Sequence, residues 1–297
     1  MTSTSSTQTA FAGSSLPAMA RIEARRFARH PLFLLGFVLA LGVTTYIGLT
    51  GAEPDTDYLS WPVIPAFFIG CSSIVVAARL TRSTESAVEA MATAPGTEAR
   101  RTLALALSCL VPFAAAVVWM GLALVLIAVE DPYPQEWWFR TASDAQVLGI
   151  YTSLALVACL GGGLLGVLVG RWLRFPGAAA VAVVVIVLVC ILGQSFADSS
   201  QSEARLWTPW PLFHSGTGDD GTQTLYAGSA PFYLVYQLCL CAAAVLAAVW
   251  HDRTARTGRV KALFAGAVVV GLAALALAMT TGVPENQVSD PIADRIR

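Results

Sequence analysis

The stretch TRSTESAVEAMATAPGTEARR, residues 81–101, is a polar and charged insertion between two strongly apolar runs. Ser86 and Glu89 have the spacing of a capping box, in which a hydroxyl and a carboxylate satisfy free backbone donors at the start of a helix. Pro95 and Gly96 then end the helix, because proline clashes with the preceding turn and glycine permits a reversal. The stretch therefore predicts a short helix, a turn and a basic pair that leads into the next apolar run.

This short helix has too few apolar residues to bury itself in a core of its own. Its expected place is the membrane surface, where it would contact another protein. The alternative interpretation is an ordinary solvated loop between two membrane spans. Both interpretations fit the residues equally well.

Composition places the chain in the membrane class. Of the 297 residues, 56% are hydrophobic and only 12% are charged, whereas soluble domains carry about 25% charged residues. The mean hydropathy is +0.66. All six cysteines lie inside apolar runs, which predicts free thiols and no disulfides. The basic residues are seventeen arginines and Lys261, a bias typical of bacterial proteins from GC-rich genomes.

Apolar runs recur along the chain at a length that crosses a hydrocarbon core of about 30 Å as a helix. None of the seven runs carries an ionisable side chain well inside it. The predicted fold is therefore an all-α polytopic membrane protein with about seven transmembrane helices within residues 31–281. The runs are 31–50, 61–78, 102–129, 145–170, 176–196, 230–250 and 260–281.

The distribution of basic residues orients these runs. With the N-terminus in the cytosol, 14 of the 18 basic residues fall on cytosolic segments, as the positive-inside rule requires. Acidic groups are concentrated on the outer loops. The alternation predicts a cytosolic N-terminus, seven crossings and an outer C-terminal tail, residues 282–297. If the last run turns back instead of crossing, that tail is cytosolic.

The N-terminal region divides into two parts. Residues 1–15 are rich in Ser, Thr and Ala and are expected to form a disordered tail. In residues 16–30, Arg21, Arg25 and Arg29 recur every four residues on one side of a helix. Leu16, Met19, Ala20 and Phe27 fall on the other side. This pattern predicts an amphipathic helix in the headgroup region. The alternative is a basic flank that only fixes the orientation of the first span.

The largest outer loop covers residues 197–229. Its aromatic portion RLWTPWPLFHS, residues 205–215, is interrupted by prolines. We expect this portion to press against the outer leaflet, since aromatic side chains favour the membrane interface.

The fourth run carries Gly162, Gly166 and Gly170 on one helix face. Small residues at this spacing let two helices approach closely in lipid. The stripe predicts a tight helix contact, either within the chain or between subunits.

Several motifs are absent from the sequence. It contains no Walker A phosphate-binding loop, and its three histidines lie at or beyond the ends of the runs. No ionisable residue lies mid-membrane, where ion-coupled carriers place such groups. We therefore expect no catalytic residue, metal or cofactor in this chain. If the protein moves a cargo uphill, a separate subunit must supply the energy, and residues 81–101 are the best candidate docking surface.

The segment from Thr84 onward resembles the cytosolic loop of ABC-2 type transporter permeases. Glu85, Glu89 and Pro95 match the acidic, glutamate and proline positions of that family's pattern, and Arg101 lies in the basic pair before the third span. The basic N-terminal lead-in is similar to that of such permeases, and the loop of residues 197–229 is similar to the family's outer re-entrant segment.

The chain departs from the family pattern at three places. Ser86 stands where glycine is usual, and Ala94 stands where threonine is usual. The seventh run, residues 260–281, is the third departure, because six spans are usual.

The resemblance implies that residues 81–101 form a coupling helix that docks on a nucleotide-binding ATPase subunit. Glu85, Glu89, Pro95 and Arg101 would carry this coupling. ATP and Mg²⁺ would bind to the partner, and a second copy or a homologous permease would complete the pathway.

The expected function is therefore that of the membrane subunit of an ATP-driven exporter in a bacterial plasma membrane. The cargo would be hydrophobic or amphipathic, such as a drug, lipid or peptide, and no nucleic acid is expected as a partner. Two other classes fit the sequence. One is a non-transporting scaffold or regulatory subunit, and the other is a lipid-modifying enzyme with its chemistry in residues 197–229.

Overall fold

The computed structural model describes residues 16–50, 59–90, 97–130, 143–196, 202–210, 213–217, 223–282 and 286–288. The expected disordered tail, residues 1–15, lies outside this description. So do most of the loop of residues 130–144 and most of the C-terminal tail. The described residues form a predominantly α-helical bundle.

The first half of the bundle contains the helices α1 to α6. Their bounds are α1 Leu16–Ala28, α2 Pro31–Thr50, α3 Val63–Pro65, α4 Cys71–Ala90, α5 Glu98–Ser108 and α6 Leu110–Glu130. A π-helical turn, Ala66–Gly70, joins α3 to α4 directly after Pro65. Since proline cannot supply an i→i−4 hydrogen bond, a locally altered helix at this position is expected.

The second half contains α7 to α11 and three short strands. Their bounds are α7 Asp144–Tyr151, a π-helical stretch Thr152–Val157, α8 Ala158–Trp172, α9 Ala178–Gln194, a 3₁₀ helix Ser202–Trp207, β1 Ser215–Thr217, β2 Gln223–Leu225, α10 Ala230–Trp250, a 3₁₀ helix Arg253–Ala255, α11 Gly258–Thr280 and β3 Asn286–Val288.

Six helices are long and apolar enough to cross a membrane. They are Pro31–Thr50, Val63–Ser83, Glu98–Val129, Asp144–Trp172, Ala230–Trp250 and Gly258–Thr280. The remaining predicted run contains α9, which has 17 residues and is the shorter apolar helix. The prediction of a polytopic helical membrane protein is confirmed at this level.

The helix predicted within residues 81–101 has a different form. The capping box proposed at Ser86 does not start a helix, because α4 runs without interruption from Cys71 to Ala90. Once a helix has nucleated, propagation is favourable until a breaker intervenes, and no glycine or proline occurs before Pro95. Residues 81–90 are therefore an extension of a membrane helix, α5 begins at Glu98, and the turn predicted at Pro95 and Gly96 lies outside the described residues.

The third run begins earlier than predicted, at Glu98 rather than Thr102. Thr97 is the N-cap of α5, and its side chain accepts a hydrogen bond from the Arg100 N–H. A turn at Cys109 separates α5 from α6. Pro112 explains this break, since it has no N–H to donate to the carbonyl four residues earlier.

Hydrogen bonds group the helix ends at one end of the bundle. The Arg26 guanidinium donates to the Ser83 hydroxyl at 2.9 Å, and Arg82 donates to the Leu173 carbonyl at 2.8 Å. The Ala99 N–H donates to an Asp252 carboxylate oxygen at 3.0 Å. We call this end, with α1, the α4–α5 connection and the ends of α8 and α10, the basic end.

Other contacts define the opposite end, which carries the loop of residues 197–229. Gln146 at the start of α7 donates to the Gly228 carbonyl at 3.0 Å, and the Ser229 N–H donates to the Ala278 carbonyl at 2.9 Å. The Phe213 N–H donates to the Gln194 side chain at 3.1 Å. We call this the loop end. Helix α9 runs between the two ends, because Arg82 also donates to the Phe175 carbonyl just before it, at 3.0 Å.

The glycine stripe of α8 packs against α4 within the chain. A Cβ built on Gly166 would lie 2.4 Å from the Ile74 carbonyl oxygen, and one on Gly170 would lie 2.7 Å from the Thr81 Cβ. A Cβ on Gly162 would lie 2.5 Å from the Gly70 carbonyl oxygen. The two helix backbones therefore approach as closely as the absence of side chains allows.

Three short strands add to the predicted all-α architecture, which is incomplete in this respect. β1 pairs with β2 and β2 pairs with β3, both antiparallel, in the order β1-β2-β3. This small sheet joins the loop between α9 and α10 to the chain after α11. The sequence gives no strand pattern here because each strand has only three residues, too few to show a period of two.

Candidate functional site

The structure places the predicted coupling residues only in part. Glu85 and Glu89 lie in the helical backbone of α4, but their side chains are outside the description, and Pro95 is outside it altogether. Arg101 lies in the first turns of α5 and is half-buried. Whether these four side chains form one surface therefore stays a prediction.

The amphipathic helix α1 is present, and Arg21, Arg25 and Arg29 are exposed along it. Its Phe27 side chain is fully buried and packs edge-on against Phe33, with ring centroids 5.3 Å apart. α1 also packs against α5. The side of α1 that carries Phe27 thus packs against the bundle, and the side that carries the arginines is exposed.

An ionic junction lies at the basic end, formed by Glu98, Arg171, His251 and Asp252. Glu98 Oε1 lies 2.6 Å from His251 Nδ1 and 3.5 Å from Arg171 Nη1. The Arg171 side chain is only 2% exposed, while that of Glu98 is 34% exposed. Since a buried guanidinium requires compensating negative charge, Glu98 connects the start of α5 to the ends of α8 and α10.

Asp252 ties the same helices together through backbone groups. Its carboxylate accepts from the Ala99 N–H at 3.0 Å and from the Thr254 N–H and hydroxyl at 2.9 and 2.7 Å. Burial raises the pKa of Asp252, but the bonds from Thr254 and Ala99 and the nearby Arg171 outweigh burial, so the pKa lies below its ordinary value. An anionic side chain at the N-terminus of α5 is also favoured by the helix dipole.

Arg82 makes a further link at this end. Its guanidinium donates to the carbonyls of Leu173 and Phe175 at 2.8 and 3.0 Å. These carbonyls follow the last turn of α8, where backbone acceptors lack intrahelical partners. Arg82 therefore joins α4 to the end of α8 and to the residues just before α9.

Sequence reasoning missed the ionic junction. Arg82 and Arg171 entered only as positive charges that fix orientation, and Glu98 and Asp252 were not singled out. Thr97 followed by Glu98 is a helix-start signal that could have located the beginning of α5. Nothing in the linear sequence shows that residues 98, 171 and 252 meet, because they come from three separate helix ends.

Part of the aromatic loop at the other end is buried in the bundle, whereas its Trp207 and Phe213 side chains are 41% and 42% exposed, so its contact with the outer leaflet stays a prediction. Trp210 is buried, and its ring atoms would lie 2.8 Å from a Cβ placed on either Gly70 or Gly162. The indole packs in one cluster with Ile74 and Ile186. Because Gly70 and Gly162 have no side chains, there is space for the Trp210 indole beside them. We call residues 202–210 and 213–217 the re-entrant segment.

Buried polar side chains hold the re-entrant segment. The Tyr233 hydroxyl donates to the carbonyls of Thr208 and Trp210, at 3.1 and 2.9 Å. Arg205 is fully buried, donates to the Ala227 carbonyl at 3.2 Å and lies 5.1 Å from the Tyr226 ring centroid. Such a guanidinium–ring contact is attractive.

His214 completes this polar region. It is buried, and its ring centroid lies 5.9 Å from that of Tyr233. Burial and the neighbouring Arg205 charge hold the pKa of His214 well below its ordinary value. The imidazole is therefore neutral near pH 7 in the folded protein.

Within the part of the chain that the structure describes, no group of His, Cys, Asp or Glu side chains is arranged to hold a metal ion. The six cysteines are free thiols.

These helices, their length and their apolar surfaces are those of a multi-pass α-helical membrane protein. No family model, no curated protein and no solved structure matches this chain.

Proposed function

We propose that this chain is the membrane-spanning permease subunit of an ATP-driven exporter of the ABC-2 type. A separate ATPase subunit would dock on the α4–α5 connection, and a second permease would complete the pathway. The cargo would be hydrophobic or amphipathic and would leave the cell across the plasma membrane of a bacterium.

The observation that carries the proposal is the linkage at the basic end. The start of α5 is joined to α8 and α10 through Glu98 and Asp252, and α4 is joined through Arg82 to the residues just before α9. A push on the α4–α5 connection is therefore transmitted to three other helices. A chain that has no ATP-binding motif of its own needs such a connection to receive movement from a separate ATPase.

The proposed topology is a cytosolic basic end with seven crossings. α9 has 17 residues and extends about 25 Å at 1.5 Å per residue. Contacts from Arg82 near its start and from Gln194 at its end to opposite ends of the bundle support a crossing. The excess of exposed arginines at the basic end supports its cytosolic location.

Topology is tested by cysteine labelling in intact cells. Gly96→Cys should be labelled by a membrane-impermeant maleimide only after permeabilisation, whereas Phe213→Cys should be labelled in intact cells. Phe213 is 42% exposed at the loop end and serves as the matched control. Labelling of Gly96→Cys from outside would refute the coupling assignment.

Coupling is tested by charge reversal. The tagged chain should co-purify from its native host with an ATPase that contains a Walker A loop, and it should stimulate that ATPase. The double variant Glu85→Lys and Glu89→Lys should lose the partner or its stimulation, while Glu203→Lys at the loop end should keep both. Unchanged stimulation in the double variant would contradict the proposal.

A stable chain that purifies without any ATPase would favour the scaffold class, and lipid turnover by the isolated chain without ATP would favour the enzyme class.

A further inference from the structure

The helix α11 packs against α10 and, towards its C-terminal end, also against the re-entrant segment. Most of α11 is exposed, but Ala274 and Ala278 are buried in one cluster with Leu206 and Tyr233. Leu206 belongs to the 3₁₀ helix at the start of the re-entrant segment, which α11 contacts directly. The buried surface of α11 is thus concentrated towards the loop end.

Backbone contacts strengthen this connection. The Ser229 N–H donates to the Ala278 carbonyl at 2.9 Å, which joins the turn before α10 to the last turns of α11. Gly282 has a φ of +127°, and a Cβ on it would lie 2.5 Å from the Gly228 carbonyl carbon. Gly228 has a φ of +123°, and its own Cβ would lie 2.6 Å from Leu206 Cδ1. Gly282, Gly228 and Leu206 are therefore in close contact. Only glycine fits at positions 228 and 282 without displacing the neighbouring segment.

The small sheet supplies the second contact. β3 follows Gly282 after a few residues and pairs with β2, which in turn pairs with β1. β1 begins at Ser215, within the re-entrant segment. The region after α11 is therefore connected to the segment at both ends, through Leu206 at its start and through the sheet at its finish.

We propose that the end of α11, Gly282 and β3 form a clasp that holds the re-entrant segment inside the bundle. The clasp is a restraint on the opening of the loop end, and it gives the seventh apolar run a function. The holding of the segment does not depend on transport. The consequence that cargo release requires the clasp to loosen rests on the proposed exporter function.

Hydrogen–deuterium exchange of the full chain in lipid nanodiscs tests the clasp without knowledge of the cargo. In Gly282→Ala, a methyl group is forced against the Gly228 backbone, so peptides covering the re-entrant segment should exchange about tenfold faster or more, as expected when a close-packed site is overfilled. Gly266→Ala is the matched control, because a Cβ at this α11 position meets nothing within 4 Å. Peptides of α1 and α5 at the basic end report on global stability and should not change in either variant.

A disulfide gives the opposite perturbation and keeps the test informative if Gly282→Ala does not fold. Thr224 and Gln287 are paired across β2 and β3, so the double variant Thr224→Cys and Gln287→Cys should form a bridge under oxidising conditions. Exchange of the re-entrant segment should slow when the bridge forms and recover on reduction, while each single cysteine variant should match the wild type.

Three results would overturn the clasp: unchanged segment exchange in Gly282→Ala while β3 itself exchanges faster, an equal increase in α1 and α5, or no slowing by the bridge. Loss of ATPase coupling is measured separately and bears only on the proposed function.

Discussion

The two ends of the bundle are closed by different chemistry. At the basic end, helices meet through charged side chains, with Glu98 and Asp252 between α5, α8 and α10. At the loop end, they meet through backbone groups, aromatic rings and the close contact of Gly228 with Gly282. Partly exposed charge pairs are individually weak and can exchange partners, whereas a backbone contact without side chains tolerates almost no displacement. We therefore expect the basic end to yield first under an applied force and the loop end to resist it.

The largest expected effect comes from disrupting the close packing of α8 against α4, the contact that runs between the two ends of the bundle. In Gly166→Val, the new side chain would collide with the Ile74 carbonyl and with the Ala77 Cβ, which lie 2.4 and 2.8 Å from the added Cβ. Overpacking typically costs about 1–3 kcal/mol, and contact with backbone places this variant at or above that range. Loss of the folded, detergent-stable fraction in size-exclusion chromatography checks it. Gly121→Ala is the control, since nothing lies within 4 Å of its Cβ. An equally severe loss in this control would show that the effect of Gly166→Val does not come from the packing of α8 against α4.

The second effect tests the loop end alone. Gln146 is 3% exposed, donates to the Gly228 carbonyl and accepts from the Ala230 N–H, both at 3.0 Å. Gln146→Leu leaves both backbone groups without their partner, at a cost of about 2 kcal/mol or more. A lowered thermal-unfolding midpoint in detergent measures it. Gln194→Leu should cost less than half as much, because its bond to the Phe213 N–H is exposed.

The third effect tests the ionic junction. Glu98→Gln keeps the shape of the side chain and removes the charge beside Arg171, and we expect a loss of about 1–2 kcal/mol because Glu98 is partly solvated. The same thermal unfolding measures it, with Glu203→Gln at the loop end as control. If Glu98→Gln costs more than Gln146→Leu, the assignment of the stiffer closure to the loop end is wrong.

The contrast between the ends also marks the limit of what the sequence predicts. The apolar runs follow from their length, the stripe of Arg21, Arg25 and Arg29 and the glycine spacing follow from the helical period of 3.6 residues, and the corresponding helices are present. Periodicity is a local property. It places each helix but does not say which helix faces which, and so it left the partner of the glycine stripe open.

The sites depend on long-range contacts that no local pattern encodes. The junction joins residues 98, 171 and 252, and the clasp joins residues 228 and 282, in each case from distant parts of the chain. The insertion of Trp210 was missed for the same reason. A proline-broken aromatic stretch is equally compatible with an interface or a bundle interior, and the deciding factor is the space beside Gly70 and Gly162.

Acidification should remove the contributions of His214 and Asp252 in different pH ranges. The pKa of His214 lies well below its ordinary 6.5 in the folded protein, so its contribution to stability is complete above that pH and is lost as the pH falls below it. The pKa of Asp252 lies below its ordinary 3.8, so its contribution is present above 3.8 and is lost as the pH falls through the lower folded value. Burial and Arg79 also lower the pKa of His30 at the basic end, so His30 acts in the same range as His214, above that of Asp252.

Thermal midpoints at two pH values check this order. Between about pH 7.5 and about pH 5.5, a range in which a histidine of ordinary pKa titrates, the wild-type midpoint should fall. In His214→Asn that fall should be smaller, and in Asp252→Asn it should match the wild type. If the midpoint of His214→Asn fell as far as that of the wild type between these pH values, another group would be responsible for the pH dependence.

The smallest effect is expected at the exposed edge of the basic end. Arg26 lies 3.0 Å from Glu23 on α1, and their side chains are 43% and 14% exposed. A pair whose cation is exposed to solvent contributes about 0.2–1 kcal/mol, so Glu23→Gln should shift the unfolding midpoint by less than Glu98→Gln does. Both variants remove one carboxylate charge from the same end of the bundle. Because Glu98 is more exposed than Glu23, a larger shift for Glu98→Gln would come from the buried Arg171. Equal shifts would mean that the ionic junction is no stronger than the Arg26–Glu23 pair.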